Sequence, residues 1–326
     1  MHLTDPTENK HLWSIILAGG EGERLRLFVR RWLGYHKPKQ YCTFIGKRSM
    51  FQHTVDRADL LSSPRRRVTV IARSHHQEAL AQLAGRETGE LIVQPENRDT
   101  AAGILLPLTH VLARDPRATV VIYPSDHFVF PENRFAAALE AAVRASDLLN
   151  GRLILITVSP DRIDEDYGWI RPRLCLGCIG EHSLHKAESF VEKPHAELAR
   201  QIMLSGALWS TLIVAARAQA LWMLGWQIFP DLMELFEAYG ASIGTSKEEA
   251  SRQSIYQKMP RLNFSTHLLA RIPANIVALE MRGVLWSDWG RPERIANTLK
   301  QIGREPAFSA EMTNRTAASH ECPSLG

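Results

Sequence analysis

Apolar positions along the chain fall into short continuous runs separated by stretches of helical spacing. The runs at 13–17, 68–72, 91–93, 119–123 and 153–158 are compact and rich in β-branched residues, so they read as buried strands. Between them, 50–61, 75–83, 100–112 and 135–149 repeat apolar residues every three or four positions, the mark of amphipathic helices. Strands alternating with helices predict an α/β class with a largely parallel sheet covered on both faces. In such sheets ligands bind beyond the carboxyl ends of the strands. After 158 the pattern changes: 167–172 and 187–191 read as extended segments around a turn, 194–204 as a helix opened by Pro194, and 209–215 as a buried strand. The stretch 219–259 is mainly helical with a break at Pro230, 275–280 returns to strand, and 286–290 is a turn before a last helix at 292–302. Beyond Gly303 the sequence is polar and aperiodic, which predicts a loose tail over 304–326.

The first strand runs into Leu17-Ala18-Gly19-Gly20-Glu21-Gly22-Glu23-Arg24-Leu25, with Lys37-Pro38-Lys39-Gln40 close behind. Three glycines within four residues bring bare backbone close to a ligand, and their N–H groups can converge on an anion. Arg24 and Lys39 add positive charge, so a polyphosphate is the natural occupant. The Walker pattern is absent because no Lys-Ser/Thr pair follows the glycines, and the dinucleotide fingerprint lacks its third glycine. A plain strand-to-helix turn with surface arginines is the bland alternative.

Composition narrows the class without naming a function. The chain has 326 residues, 45% hydrophobic and 23% charged, as expected of a folded enzyme. A net charge of +4 is too small to imply a nucleic-acid partner. Four cysteines suit a reducing compartment, Met1 to Lys10 carries no apolar signal segment, and no membrane-spanning run occurs, so the cytoplasm is the expected location.

Four further constellations carry chemistry. Asp126, in Pro124-Ser125-Asp126-His127 at a strand end, and Asp288, in Trp286-Ser287-Asp288-Trp289-Gly290, suit Mg²⁺ with substrate phosphates, or else cap helices. Gln94-Pro95-Glu96-Asn97-Arg98-Asp99-Thr100 can read a base edge, or Asp99 or Thr100 simply caps the next helix. In Phe190-Val191-Glu192-Lys193-Pro194, Glu192 can accept from sugar hydroxyls and Lys193 can hold a monophosphate, with an exposed ion pair as the alternative. Cys175, Cys178, His182 and His185 superficially supply four zinc ligands, but the three-residue spacer is too short, so a hairpin with incidental cysteines is expected.

Taken in order, the glycine loop, Pro38-Lys39-Gln40, Asn97-Arg98-Asp99-Thr100-Ala101, Pro124 to His127, Phe190 to Pro194 and Trp286 to Gly290 resemble the sugar-phosphate nucleotidylyltransferases, most nearly those that act on mannose 1-phosphate. The resemblance implies a Rossmann-like three-layer α/β/α fold in one domain over 1–303, with a nucleotide-binding half at about 1–150 and a sugar-phosphate-binding half at about 151–303. It implies transfer of a nucleotidyl group from a nucleoside triphosphate, GTP in the nearest relatives, to a hexose 1-phosphate, with Mg²⁺ as cofactor. A homodimer is an allowed assembly, and a single activity is expected. By motif position, Leu17, Ala18, Gly19, Gly20, Gly22, Asn97, Asp99 and Thr100 would bind the nucleotide, and Arg24 and Lys39 would act at the reacting centre. Gly168, Glu192, Lys193 and Ser210 would bind the sugar phosphate, and Asp126 and Asp288 the metal.

The residue types suit that reaction. A sugar phosphate oxygen is already anionic, so it can attack phosphorus without a strong base, and the obstacle is bringing two polyanions together. Three departures from the family wording stand out. Glu23 replaces the usual threonine, 26–36 lacks the usual Trp-Pro-Leu-Ser wording, and Ser210-Thr211-Leu212 replaces an Asn-Ser-Gly turn. They leave open another base or sugar, or a non-catalytic relative that binds an NDP-sugar. Glu23 must turn to solvent or Arg26, or meet the metal.

Overall fold

The computed structural model describes residues 10–309 and 311–312. The first half contains β1 (Leu12–Ala18), α1 (Arg26–Leu33), α2 (Met50–Asp59), β2 (Arg67–Ala72), α3 (His76–Leu83), β3 (Glu90–Gln94) and α4 (Asp99–Arg114). It continues through β4 (Thr119–Pro124), β5 (Phe128–Phe130), α5 (Glu132–Leu148) and β6 (Leu153–Val158). The second half adds β7 (Gly168–Ile179), β8 (His182–Glu192), α6 (Ala196–Leu204), β9 (Leu208–Arg217), α7 (Ala218–Ile228), α8 (Pro230–Gly240) and α9 (Glu248–Lys258). It closes with α10 (Phe264–His267), β10 (Ile276–Glu280), β11 (Leu285–Ser287) and α11 (Pro292–Gln301).

Nine strands form one mixed sheet in the order β3-β2-β1-β4-β9-β6-β10-β8-β7. Strands β1 to β4 pair in parallel, β10 is parallel to β6, and β9 inserts antiparallel between β4 and β6. The class is therefore the α/β one that the alternation predicts. Because successive side chains point to opposite faces, each central strand feeds two cores. Val120 and Ile122 of β4 join one cluster with α4, α7 and α8. Val121 and Tyr123 join the other, with α2 and α5. The glycine loop, the Gln94 loop and Asp126 leave from the carboxyl ends of β1, β3 and β4, so the parallel sheet delivers them to one edge. Among the described residues no helix is long and apolar enough to cross a membrane.

Two expectations change, and one stretch without a predicted element forms a helix. The arginine-rich stretch after the glycines forms α1, whose Phe28 and Val29 join a third cluster with Phe44, Trp289 and Phe308. Trp286 and Ser287, read as part of a turn, lie in β11, which pairs with the three-residue β5 in a separate ribbon. Residues 304–309 are docked where a loose tail was expected: Ala307 N–H donates to Phe44 O at 2.8 Å, and Phe308 is buried. Residues 310 and 313–326 of that tail, and 1–9 at the other end, lie outside the described residues. The cysteine segment is a β7–β8 hairpin with Cys175 and Cys178 exposed as free thiols.

Ile122→Ala removes a fully buried side chain from a strand packed on both faces. Urea unfolding should record a loss of about 2–5 kcal/mol, and a loss below about 1 kcal/mol would contradict the two-sided core.

Candidate active site

The loop after β1 is held open by the segment behind it. Gln40 Nε2 donates to Ala18 O at 3.1 Å and to Gly20 O at 2.7 Å, and the Tyr41 hydroxyl also donates to Ala18 O at 3.1 Å. With its carbonyls taken from behind, the loop leaves its N–H edge for a ligand. Gly22 lies at φ 65°, and a Cβ there would sit 2.8 Å from Lys39 N. A Cβ on Gly19 would sit 2.4 Å from Gln94 Nε2. Gly22 is therefore required by close approach as well as by conformation, and Gly19 lets the Gln94 amide lie against the loop. Glu23 lines the cavity beside the loop, and its carboxylate pairs with Arg26 at 3.3 Å.

Lys39, buried at 3% exposure, is the junction of the site. Its ammonium lies 2.7 Å from Asp126 Oδ2 and also donates to the main-chain carbonyl of Asp288. The two strand-end aspartates are thus brought together, by a lysine. The Asp288 carboxylate is fully engaged. Oδ1 accepts from Arg294 at 2.6 Å, from the Tyr167 hydroxyl at 3.1 Å and from Gly290 N–H at 3.0 Å. Oδ2 accepts from Arg24 at 2.7 Å. Arg294 is held in turn by Asp164 at 2.9 Å and Asp166 at 3.0 Å.

The electrostatics follow from these contacts. Burial alone would raise the Asp288 pKa, but Lys39, Arg24 and Arg294 together hold it far below the usual carboxylate range. Asp126 is likewise lowered: its desolvation is outweighed by Lys39. Burial pushes His127 down to about 4, so the ring is neutral at pH 7, with Nδ1 accepting from Trp286 Nε1 at 3.3 Å.

A cavity of about 780 Å³ runs from the glycine loop to Lys193. Leu17, Gly19, Gly20, Gly22, Asn97, Asp99, Thr100, Asp126 and Lys193 line it, whereas Ala18 lies behind, fully buried. Asp99 sits at φ 66°, with its Oδ1 accepting from Thr100 N–H at 2.6 Å and from Asn263 Nδ2 at 3.2 Å. Thr100 Oγ1 accepts from Phe264 N–H at 2.7 Å, so these two side chains dock the segment after α9 onto the Asn97 loop. That docking brings Arg261 and Asn263 to the cavity. Gln94, 7% exposed, is fixed by the Tyr256 hydroxyl donating to its Oε1 at 3.1 Å. A depression of about 840 Å³ elsewhere, lined by Arg217, Met223 and Trp226 among others, has Arg217 as its only charged residue and none of this chemistry.

On the second half, Gly168 pairs with Glu192 across β7 and β8 and with Ser210 of β9. A Cβ on Gly168 would lie 2.7 Å from Glu192 Oε2, so the glycine makes room for the carboxylate. Ser210 is buried, and its Oγ accepts from Leu212 N–H at 3.3 Å, next to the bulge where Leu212 adopts φ 57°. Lys193, at φ 47°, is tied to Tyr167 O by its N–H at 3.0 Å. The sequence reading missed Gln94, Tyr167, Arg261 and Arg294 as site residues. Tyr167 and Gln94 lay inside motifs already singled out, whereas Arg261 and Arg294 had no local signal. Cys175, Cys178, His182 and His185 stay outside the site, and no group of three or more His, Cys, Asp or Glu suited to a metal occurs among the described residues.

The sequence and the fold both have matches among known proteins. The model of the nucleotidyl transferase family covers residues 13–304. The chain belongs to that family. Within it, xanthan biosynthesis protein XanB of Xanthomonas campestris pv. campestris is 29% identical over 59% of this chain and 39% of its own length. The mannose-1-phosphate guanylyltransferase RfbM of Salmonella typhimurium is 30% identical over 63% of this chain and 42% of its own. The nucleotidyl transferase matches thus span about two fifths of those relatives. A Thermus thermophilus structure described as mannose-1-phosphate geranyltransferase shares the fold, with a TM-score of 0.74, 22% identity, and coverage of 90% of this chain and 79% of that one. The inositol-1-phosphate CTP transferase from T. maritima has a TM-score of 0.53, at 13% identity over 96% of this chain and 98% of its own.

Burial raises the Glu192 pKa, and Lys193, with Nζ 3.9 Å away, offsets only part of that. Carbon-13 NMR of the carboxyls should show one resonance, absent from Glu192→Gln, that protonates at a higher pH than an ordinary glutamate as the solution is acidified. A resonance titrating at or below the ordinary value would contradict this environment.

Proposed function

We propose that the chain transfers a guanylyl group from GTP to mannose 1-phosphate, giving GDP-mannose and pyrophosphate. The observation that carries this reading is the convergence on one cavity of an open glycine loop, Asp126 with the buried Lys39 paired to it, and Lys193 from the second half. The loop N–H groups of 19–22 would hold the triphosphate. Lys39 and Arg24 would offset charge on the phosphoryl oxygens, while Lys193 and Glu192 would position the sugar phosphate for in-line attack. No protein nucleophile is required, because the attacking oxygen is anionic already.

The two carboxylates expected at Mg²⁺ differ in their fit. Asp126 is partly exposed, lines the cavity, and has only His127 near Oδ1, at 3.8 Å. Asp288 has both oxygens committed to protein donors. Mg²⁺ would therefore be held by Asp126 with substrate phosphate oxygens, where it would offset phosphate charge.

Guanine is favoured by the donors around the base end. Arg261 makes no ion pair or hydrogen bond among the described residues, and Gln94 turns Nε2 toward Gly19 because Tyr256 takes its oxygen. Guanine offers the acceptor pair O6 and N7, which suits a guanidinium, whereas adenine replaces O6 with a donor. Mannose is supported by the names of several family relatives.

Pyrophosphate release measured over a matrix of nucleoside triphosphates and sugar 1-phosphates tests this directly. GTP with mannose 1-phosphate should give the highest kcat/KM, and Lys39→Met should lower it about a hundredfold or more, equivalent to about 3 kcal/mol. Nucleotide-sugar binding without turnover of any pair would overturn the enzymatic reading. Separately, Arg261→Ala should raise the KM for GTP about tenfold while leaving that for UTP within about threefold, in keeping with roughly 1–3 kcal/mol for a bidentate base contact. Equal changes for both nucleotides would remove Arg261 from base selection.

A further inference from the structure

Asp288 stands where a second metal carboxylate is expected, yet its surroundings suit a different task. A carboxylate offers about four lone-pair sites. Here Oδ1 is crowded by three donors, Arg294, the Tyr167 hydroxyl and Gly290 N–H, and Oδ2 accepts from Arg24. Lys39 lies close by, bonded to Asp126 and to the Asp288 main-chain carbonyl. A divalent cation bridging the two aspartates would face this ammonium and two guanidinium groups at close range.

The sequence around Asp288 is shaped for these donors. At Gly290 a Cβ would lie 2.5 Å from Arg24 Nη1 and 2.7 Å from Asp288 Oδ2, so only glycine lets the guanidinium lie against the carboxylate. Arg294 is locked from its far side by Asp164 and Asp166, and Arg291 also pairs with Asp166 at 2.9 Å. Its guanidinium carbon lies 4.8 Å from the centre of the Tyr167 ring, which closes that side.

We propose that Asp288 is a positioning residue, not a metal ligand: it clamps Arg24 and Arg294 by its carboxylate and Lys39 by its carbonyl, so that protein cations fill the place of a second metal contact. A divalent cation is then left with Asp126 alone on the protein. This rests on the proposed reaction only for what the clamped cations act upon; the arrangement itself is testable in the chain without substrate.

Mn²⁺ binding to the full-length chain, followed by electron paramagnetic resonance of the free ion without nucleotide, reads the clamp. Asp288→Asn should leave Mn²⁺ affinity within about threefold of the parent, whereas Arg294→Met, which takes a guanidinium off the Asp288 carboxylate, should raise it about tenfold or more. The double variant Arg294→Met, Asp288→Asn should return to the parent value. Arg24→Met opens Oδ2 from the half-exposed side, and it should gain affinity in the same direction should Arg294→Met not fold. A gain in metal affinity is not something a loss of structural support would produce. Parent binding that Asp288→Asn weakens tenfold would overturn the proposal, as would unchanged affinity in both arginine variants. Failure of the proposed reaction would show as absent pyrophosphate release and would leave these Mn²⁺ affinities as they are.

Discussion

The structure depends on one buried ammonium. A charge in the interior is costly unless it is paired, and Lys39 is paired on two sides, with the Asp126 carboxylate and the Asp288 carbonyl. Those two partners come from the end of β4 and the segment after β11, far apart in sequence. Holding Lys39 therefore draws the two halves of the chain onto the carboxyl edge of the sheet. Its neighbours in the same short turn do the rest: Gln40 and Tyr41 take the carbonyls of the glycine loop from behind. The Pro38-Lys39-Gln40 motif thus shapes the anion loop as well as charging it.

Around that centre, opposite charges are nested and not merely gathered. Arg24 and Arg294 face Asp288, while Asp164 and Asp166 face Arg294 from behind. Each buried charge has a hydrogen-bonded partner, so the cluster can be rigid, and rigid cations are the ones that stabilise developing charge without reorganising. Glu23 stands outside this nest, paired with Arg26 at the exposed rim of the cavity.

Much of this was legible in sequence where a local pattern carries the information. Buried runs such as 119–123 specify a strand by periodicity, and the glycines at 19, 20 and 22 announce a close approach. Elements without a long pattern were not legible: β5 and β11 are three residues each, too short for alternation to register, and α1 hid its Phe28 and Val29 among arginines. The same contrast holds at the site. Asp288 stands in a visible motif, whereas its partner Arg294 sits on a helix that looks like any solvated one. Arg261 reaches the cavity because its segment is docked there, by the Asp99 and Thr100 side chains on Asn263 and Phe264 and by main-chain bonds between Leu262 and the Arg98–Ala101 turn.

The small β5–β11 ribbon has a consequence beyond its size. Its register sets Phe128 opposite Ser287, so Asp126, two residues before β5, and Asp288, the residue after β11, are spaced by a hydrogen-bonded ladder. A ladder of this kind acts as a ruler with steps of one residue, and a single-step slip would turn every side chain to the other face. The gap that Lys39 spans is therefore measured out in backbone, and it is insulated from changes in side-chain size around it. Drift in the helices that lie between the two halves can lengthen or shorten the chain without altering that measure.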